Sequence, residues 1–268
     1  MNRCRRSVFS GGEKAYGVAK IIAVAGKGGV GKTSISAMIV RILTRKYPDA
    51  RILAIDADPA VGLATALGVS VESTMDDIRK AIVENVQKGQ KEEAVECLGE
   101  ARNLMFDALE EQEGFAFLAI GRPEAAGCYC AVNAYLKEVI TVMAEQFDYV
   151  VIDGEAGIEQ INRRVMEHVT HLILITDPSQ KGLQVIKTIK KVADELVMYE
   201  VCGALVNRLP EAGMLRFLDF DGIPFLGSIG PDSSLTEFDL KGKNILDLPD
   251  SSQLAAGVGE ALAKLHIV

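Results

Sequence analysis

Eight consecutive residues near the start of the chain have the composition and spacing of a phosphate-binding loop. In order they are Gly26, Lys27, Gly28, Gly29, Val30, Gly31, Lys32 and Thr33. The glycines would let successive backbone N–H groups converge on anionic oxygens without obstruction by side chains. Lys32 would reach the β- and γ-phosphates of a nucleotide, and the Thr33 hydroxyl would complete the coordination shell of Mg²⁺. The loop therefore predicts binding of a nucleotide together with Mg²⁺.

The residues on either side of this loop predict a strand before it and a helix after it. The apolar run 21–25 precedes the loop. Ser34, which we include among the nucleotide-binding residues, begins a helical segment that continues to Val40. A helix N-terminus adds partial positive charge beside bound phosphate. Strand, glycine-rich turn and helix start are the context that a phosphate-binding loop requires.

A second lysine, Lys27, directly follows the first glycine of the loop. The stretch 26–33 resembles the deviant Walker A loop of the MinD, ParA and nitrogenase iron protein superfamily. In that superfamily the extra lysine crosses a dimer interface and contacts the partner's nucleotide. The resemblance implies that Lys27 and Lys32 are catalytic, with Lys27 supplying charge in trans as an arginine finger does elsewhere. The alternative is a solvated lysine in a loop.

Two aspartates, Asp56 and Asp58, follow the second apolar run of the chain, 51–55. Their position resembles the switch I region of the superfamily, in which the second aspartate positions or activates the attacking water. We therefore predict that Asp58 is catalytic and that Asp56 helps to hold the hydration shell of Mg²⁺. The alternative is that Asp58 caps the segment that follows it.

A third aspartate, Asp153, ends the apolar run 149–152 and resembles a Walker B residue. A carboxylate at a strand end supplies oxygen to Mg²⁺, so we predict that Asp153 contributes to the metal site. The next residues, 154–157, resemble the switch II motif of the superfamily, which moves toward the γ-phosphate and away after hydrolysis. Asn207 and Arg208 follow a later strand and resemble the adenine-reading position, because an amide both donates and accepts hydrogen bonds.

Cys128 and Cys130 are separated by one residue and provide two thiolates at metal-ligand spacing. Tetrahedral sites for soft metals require about four ligands, and a two-fold dimer would supply the other pair from its second copy. The pair therefore predicts Ni²⁺ or Zn²⁺ at a dimer interface. The alternative is a pair of small, partly buried residues at the end of a loop.

Taken together, these motifs resemble one family, the carbon monoxide dehydrogenase maturation ATPases (the CooC family). The stretches that carry the resemblance are 26–33, 56–59, 127–130 and 153–159. The resemblance implies ATP hydrolysis to ADP and phosphate, a homodimer promoted by nucleotide or metal, and nickel insertion into apo-carbon monoxide dehydrogenase. An acetyl-CoA synthase or another metalloenzyme would be an equally suitable client.

Two other functions remain open at this point. A ParA- or MinD-like positioning ATPase would need a basic DNA-binding face or an amphipathic membrane tail, and the sequence shows neither. An electron-transfer ATPase like the nitrogenase iron protein would hold an iron–sulfur cluster with two widely separated cysteines per subunit. One of these would lie just after the Walker B aspartate, whereas residues 154–159 contain no cysteine.

The composition restricts the partners and the location of the protein. A net charge of −8 argues against general binding to nucleic acid, which needs a basic surface. No apolar stretch approaches the ~20 residues that span a bilayer, so we expect no membrane partner. The basic N-terminus has no apolar segment behind it, which argues against a secretory signal. We therefore expect a cytoplasmic protein whose five cysteines are thiols or metal ligands.

The functional residues must be positioned by elements that alternate between strands and helices. Continuous apolar runs recur at helix-sized intervals, as is typical of a parallel sheet covered on both faces. The sequence predicts an α/β single-domain P-loop NTPase with a mostly parallel twisted sheet and helices on both faces. Residues 19–268 would form this deviant Walker A ATPase domain after a mobile N-terminal extension, 1–18. The polar segment 70–113 is predicted to form two or three surface helices.

Overall fold

The structure is a computed structural model, and the fold is reported for the residues that it describes. These are 19–87, 103–121, 130–154, 158, 161 and 165–268. The predicted N-terminal extension, 1–18, lies outside them.

Eight strands form one sheet in the described part of the chain. They are β1 Lys20–Gly26, β2 Ile52–Asp56, β3 Glu110–Gln112, β4 Phe115–Ala119, β5 Tyr149–Asp153, β6 His168–Thr176, β7 Met198–Val206 and β8 Phe225–Ser228. Their order across the sheet is β3-β4-β2-β5-β1-β6-β7-β8. All neighbours pair in parallel except β3, which runs antiparallel to β4. The predicted α/β fold with a mostly parallel sheet is confirmed.

Seven α-helices have bounds within the described residues. They are α1 Lys32–Lys46, α2 Gly62–Leu67, α3 Met75–Gln87, α4 Cys130–Ala144, α5 Gln180–Leu196, α6 Ser233–Lys241 and α7 Gln253–Lys264. Short 3₁₀ helices cover Ala212–Phe217 and Ile245–Asp247, and residues 103–107 form a further helical turn. Helices α1 and α7 cover one face of the sheet, and α3, α4 and α5 cover the other.

The apolar core is divided by the sheet into two clusters. Ala23 and Ala25 of β1 belong to the cluster under α3, α4 and α5, whereas Ile22 and Val24 belong to the cluster under α1 and α7. Successive side chains of a strand point to opposite faces, and helices cover both faces here. This double burial explains why β1 reads as a continuous apolar run.

The segment 70–113 contains a strand in addition to the helices that the sequence predicts. Helix α3 and the turn 103–107 lie in it, but β3 was not predicted. Strand β3 has three residues, all of them polar, and none of them is buried. Such a short edge strand lacks the apolar alternation by which strands are recognised, so its pairing with β4 leaves no signal in the sequence.

Among the described residues, no helix combines the length and apolarity that a transmembrane span requires.

Candidate functional site

The phosphate-binding loop lies at the carboxyl edge of the sheet, between the end of β1 at Gly26 and the start of α1 at Lys32. A Cβ atom on Gly26 would lie 2.2 Å from the carbonyl oxygen of Ile175 in β6, so only glycine allows this approach. Gly31 has φ +90°, and a Cβ there would lie 2.6 Å from Nδ2 of Asn207. Both glycines are therefore required by the backbone of the loop.

A cavity of about 470 Å³ lies against this loop. Its lining consists of Gly28, Gly29, Gly31, Lys32, Thr33, Asp58 and Arg208. A larger cavity, of about 900 Å³, lies near the amino ends of β1, β6 and β7 and contains no residue of the loop. We assign the candidate site to the smaller cavity, because ligands of open parallel sheets bind at the carboxyl ends of the strands.

The remaining loop residues are close to this cavity or support it. Val30 is 2% exposed and packs into the core under α1 and α7. The Lys32 side chain is buried, and its Nζ lies 3.4 Å from the carbonyl oxygen of Lys27. Ser34 is in the first turn of α1, where backbone N–H groups have no partner within the helix. The N-terminus of α1 can therefore receive an anionic group.

Two buried aspartates lie side by side at the ends of adjacent strands. Asp56 of β2 is in register with Asp153 of β5. Asp56 accepts hydrogen bonds from the backbone N–H groups of Asp58, at 3.1 Å, and Leu63, at 2.8 Å. Oδ1 of Asp153 accepts a hydrogen bond from the hydroxyl of Ser36 at 3.0 Å, and its buried Oδ2 has no hydrogen-bond partner.

Burial raises the pKa of both carboxyl groups. The pKa of Asp56 rises to about 7, because of desolvation and then the neighbouring charge of Asp153. Desolvation also raises the pKa of Asp153 to about 6, against the opposing effects of the Thr33 and Ser36 hydroxyls and Lys32. The unsatisfied oxygen of Asp153 and the hydroxyl of Thr33 are hard oxygen donors, so these two residues fit Mg²⁺.

The metal-free protein is expected to become less stable between about pH 4 and pH 7 because of these two groups. Unfolded carboxyls ionise near 3.8, whereas the folded protein keeps Asp56 and Asp153 protonated up to about 7 and 6. The folded state binds more protons in this range, so the free energy of unfolding falls as the pH rises. Urea unfolding in a chelator at pH 5 and pH 7.5 measures the change. If the free energy of unfolding of an Asp56→Asn/Asp153→Asn variant keeps the same pH dependence, these two carboxyl groups are not its cause.

Lys27 forms an ion pair within its own chain. Its Nζ lies 3.0 Å from Oδ2 of Asp177, which directly follows β6, and both side chains are about one-third exposed. Burial raises the pKa of Asp177, but hydrogen bonds from Ser179 and Lys27 outweigh burial and hold that pKa below its usual value. An ionised partner at the end of β6 therefore holds the Lys27 side chain.

Asp58 lines the cavity and is half-buried. Its Oδ1 accepts a hydrogen bond from the backbone N–H of Ala60 at 2.9 Å, which closes a tight turn. The N-cap of α2 is Val61, so Asp58 does not cap that helix. Asp58 therefore contributes a carboxylate to the lining of the cavity.

Asn207 and Arg208 support the loop from the end of β7. Nδ2 of Asn207 donates a hydrogen bond to the carbonyl oxygen of Val30 at 2.7 Å, and its Oδ1 accepts one from the backbone N–H of Arg208. Arg208 has φ +58° and donates to the carbonyl oxygen of Gly29 at 3.1 Å. These contacts are with the protein, and reading of adenine by this pair stays a prediction.

The predicted cysteine pair and part of switch II fall outside the part of the chain that the structure describes. Cys128 and residues 155–157 are not described, and of Cys130 only the backbone is, as the first residue of α4. Among the described residues, no group of three or more histidine, cysteine and acidic side chains could hold a metal ion. The cysteine site stays a prediction.

Sequence reasoning missed two residues that contact the predicted site. Ser36 is one helical turn beyond Thr33 and reaches Asp153. Asp177, which directly follows β6, pairs with Lys27. The only sequence signal for Ser36 was its spacing from Thr33, which puts the two residues on neighbouring positions of one helix face.

Comparison with known proteins places the chain in a family and identifies its fold. A family model described as "AAA domain" matches residues 19–199. An uncharacterised ATP-binding protein of Methanocaldococcus jannaschii is 37% identical over 91% of this chain and 98% of its own length. The carbon monoxide dehydrogenase accessory protein CooC of Rhodospirillum rubrum is 31% identical over 85% of this chain and 89% of its own length.

A solved structure has the same fold. The septum site-determining protein MinD of Pyrococcus horikoshii, complexed with Mg-ADP, aligns with a TM-score of 0.65 at 22% identity. The alignment covers 92% of this chain and 96% of the MinD chain.

Proposed function

This chain belongs to the AAA-domain family, and from that premise we propose that it is a Mg²⁺- and ATP-dependent ATPase that works as a homodimer. We propose further that it assists the insertion of a metal into carbon monoxide dehydrogenase or a related metalloenzyme, and that this metal is nickel. The observation that carries the ATPase proposal is the convergence of Lys27, Lys32, Thr33, Asp58 and Asp153 around one edge of the sheet.

The arrangement of charges suits the transfer of a phosphoryl group to water. Backbone N–H groups of the loop and the ammonium of Lys32 would bind the β- and γ-phosphates. Thr33 and Asp153 would hold Mg²⁺, which supplies neutralising charge to the phosphate oxygens when bound. Asp58 would orient the attacking water and accept its proton.

The position of Lys27 supports a role in trans. In the isolated chain its ammonium is paired with Asp177 rather than placed over the loop of its own subunit. A facing protomer would offer nucleotide phosphates in place of that carboxylate. The exchange of one anionic partner for another costs little electrostatic energy, so nucleotide could join two subunits through this residue.

Two observations support the proposed link to metal-centre maturation. The first is the similarity to a protein named as an accessory of carbon monoxide dehydrogenase. The second is the sequence pair Cys128 and Cys130, which would give four thiolates in a dimer. Closure around ATP would bring the two pairs together, and hydrolysis would separate them and release the metal to the client.

Removal of the cysteine pair is expected to abolish metal binding by the dimer. A Cys128→Ser/Cys130→Ser variant should bind no Ni²⁺ or Zn²⁺, whereas the wild-type protein should bind about one ion per two chains. Elemental analysis after anaerobic gel filtration with a non-hydrolysable ATP analogue measures the ratio. Cys202→Ala is the matched control, because that thiol is buried and burial raises its pKa to about 12. A ratio that stays the same in the double variant would contradict the metal proposal.

The alternative function is that of a positioning ATPase. The fold shared with the septum site-determining protein of Pyrococcus horikoshii favours it, although that similarity concerns the fold alone. Such a protein would bind DNA or lipid when ATP is present. Co-sedimentation with DNA or with anionic liposomes distinguishes the two, since the maturation function predicts that the protein stays in the supernatant with either one.

A further inference from the structure

We infer that Ser36 is the positioning residue of the metal site, and that the two buried aspartates have separate tasks. Ser36 would fix the carboxylate of Asp153 so that one of its oxygens faces Mg²⁺. Asp56 would hold the neighbouring loop instead of the metal. The inference rests on the proposed Mg²⁺-dependent binding of ATP and assigns residues within that same site.

The contact of Ser36 with Asp153 joins the helix that follows the phosphate-binding loop to the strand of the Walker B aspartate. Ser36 is completely buried on α1, and Asp153 is 1% exposed at the end of β5. The 3.0 Å hydrogen bond between them is made by residues 117 positions apart. A buried hydroxyl that donates to a buried carboxyl restricts the rotation of that carboxyl, because breaking the bond would leave a buried polar group unsatisfied.

The consequence of this contact is visible in the other oxygen of Asp153. Oδ2 is buried and accepts no hydrogen bond, which is unusual for a polar atom in a protein interior. The other such atoms in the described part of the chain belong to the buried ion pair of Asp76 and Arg79. At the candidate site, therefore, Asp153 Oδ2 is the oxygen that lacks a donor, and a bound cation would satisfy it.

Asp56 differs from Asp153 because both of its oxygens accept backbone hydrogen bonds. Oδ1 accepts from Asp58 and Oδ2 from Leu63. Between these two anchor points Val61 has φ +51°, a left-handed conformation that a β-branched residue rarely adopts. Asp56 thus holds a strained loop, and that loop carries Asp58 into the cavity.

The inference about Ser36 is tested by the Mg²⁺ concentration that half-saturates binding of a fluorescent, non-hydrolysable ATP analogue. Ser36→Ala is expected to raise this concentration about tenfold or more, the usual effect of removing a partner that orients a metal ligand. Binding of the analogue in a chelator should be unchanged. Ser36→Thr keeps the hydroxyl and should restore most of the Mg²⁺ affinity.

Thr44→Val is the matched control for this substitution. Thr44 is on the same helix, and its hydroxyl donates to the backbone oxygen of Arg41 at 2.9 Å. A Mg²⁺ dependence that is the same in Ser36→Ala as in Thr44→Val would overturn the role of Ser36. If the affinity of the wild-type protein for the analogue does not depend on Mg²⁺, the proposed Mg²⁺-dependent ATPase function itself is contradicted.

The separate tasks of the aspartates are tested by two isosteric variants. Asp153→Asn should raise the half-saturating Mg²⁺ concentration by at least tenfold, whereas Asp56→Asn should change it by less than about threefold. Asp56→Asn should instead speed amide hydrogen exchange at Asp58 or Leu63, because the amide keeps one acceptor oxygen and its nitrogen cannot accept the other hydrogen bond. Equal losses of Mg²⁺ affinity in the two variants, or unchanged exchange in Asp56→Asn, would overturn the assignment.

Discussion

A Lys27→Ala variant is expected to lose ATP hydrolysis by about a thousandfold or more and to lose nucleotide-dependent dimerisation. The reason is that a cation supplied across an interface stabilises the charge of the transition state, and such residues contribute about 10³–10⁵ in rate. Binding of ATP to the single chain should remain, since Lys32 and the loop amides stay in place. Phosphate release and light scattering, each measured with and without nucleotide, check the two expectations.

The control for this variant is Asp177→Asn, which breaks the same ion pair from its other side. Both substitutions remove the ion pair between Lys27 and Asp177, whose Nζ and Oδ2 atoms are 3.0 Å apart. Only Lys27→Ala removes the charge that the partner's nucleotide would use, so Asp177→Asn should keep both hydrolysis and dimerisation. Equal defects in the two variants would mean that the ion pair holds the loop and that Lys27 has no role in trans.

An Asp58→Asn variant is expected to lower hydrolysis by about 10²–10⁴, the usual contribution of a general base. The affinity for ATP should change little. Asparagine keeps the Oδ1 acceptor that bonds the backbone N–H of Ala60 at 2.9 Å, so the turn is retained. What is lost is a carboxylate able to orient water and accept its proton. Single-turnover hydrolysis, together with equilibrium binding of ATP, separates the chemical step from affinity.

Asp49→Asn is the matched control for loss of a negative charge, because Asp49 is exposed after α1 and does not line the cavity. It should leave the rate unchanged. If the Asp58→Asn protein hydrolyses ATP at the wild-type rate, Asp58 is not the general base and its role is limited to the turn that it closes with Ala60.

The predicted residues that the structure brings to the candidate site are contiguous in the chain or follow apolar runs. The loop 26–33 is one segment, and Asp56 and Asp153 end strands whose double burial makes them continuously apolar. A contiguous loop and a continuous apolar run can each be recognised from residues that are neighbours in the sequence. Parallel strands then bring their carboxyl ends to one edge, so the meeting of these residues could be predicted.

The contacts that could not be predicted join residues far apart in the chain. Lys27 meets Asp177 across 150 positions, and Ser36 meets Asp153 across 117. Neither contact has a local pattern, because each depends on the register of β1 with its neighbours and on the direction in which α1 packs. Strand β3 could not be predicted for a related reason, since only its pairing with β4 makes it a strand.

The measurement that tests the central claim most directly is an anaerobic metal titration of the full chain, with and without a non-hydrolysable ATP analogue, in which mass and bound metal are recorded together. With the analogue, the proposed function predicts a mass of about twice the 28.8 kDa of one chain and one Ni²⁺ or Zn²⁺ per two chains. A chain that stays monomeric with the analogue, or a dimer that binds no metal, would contradict it.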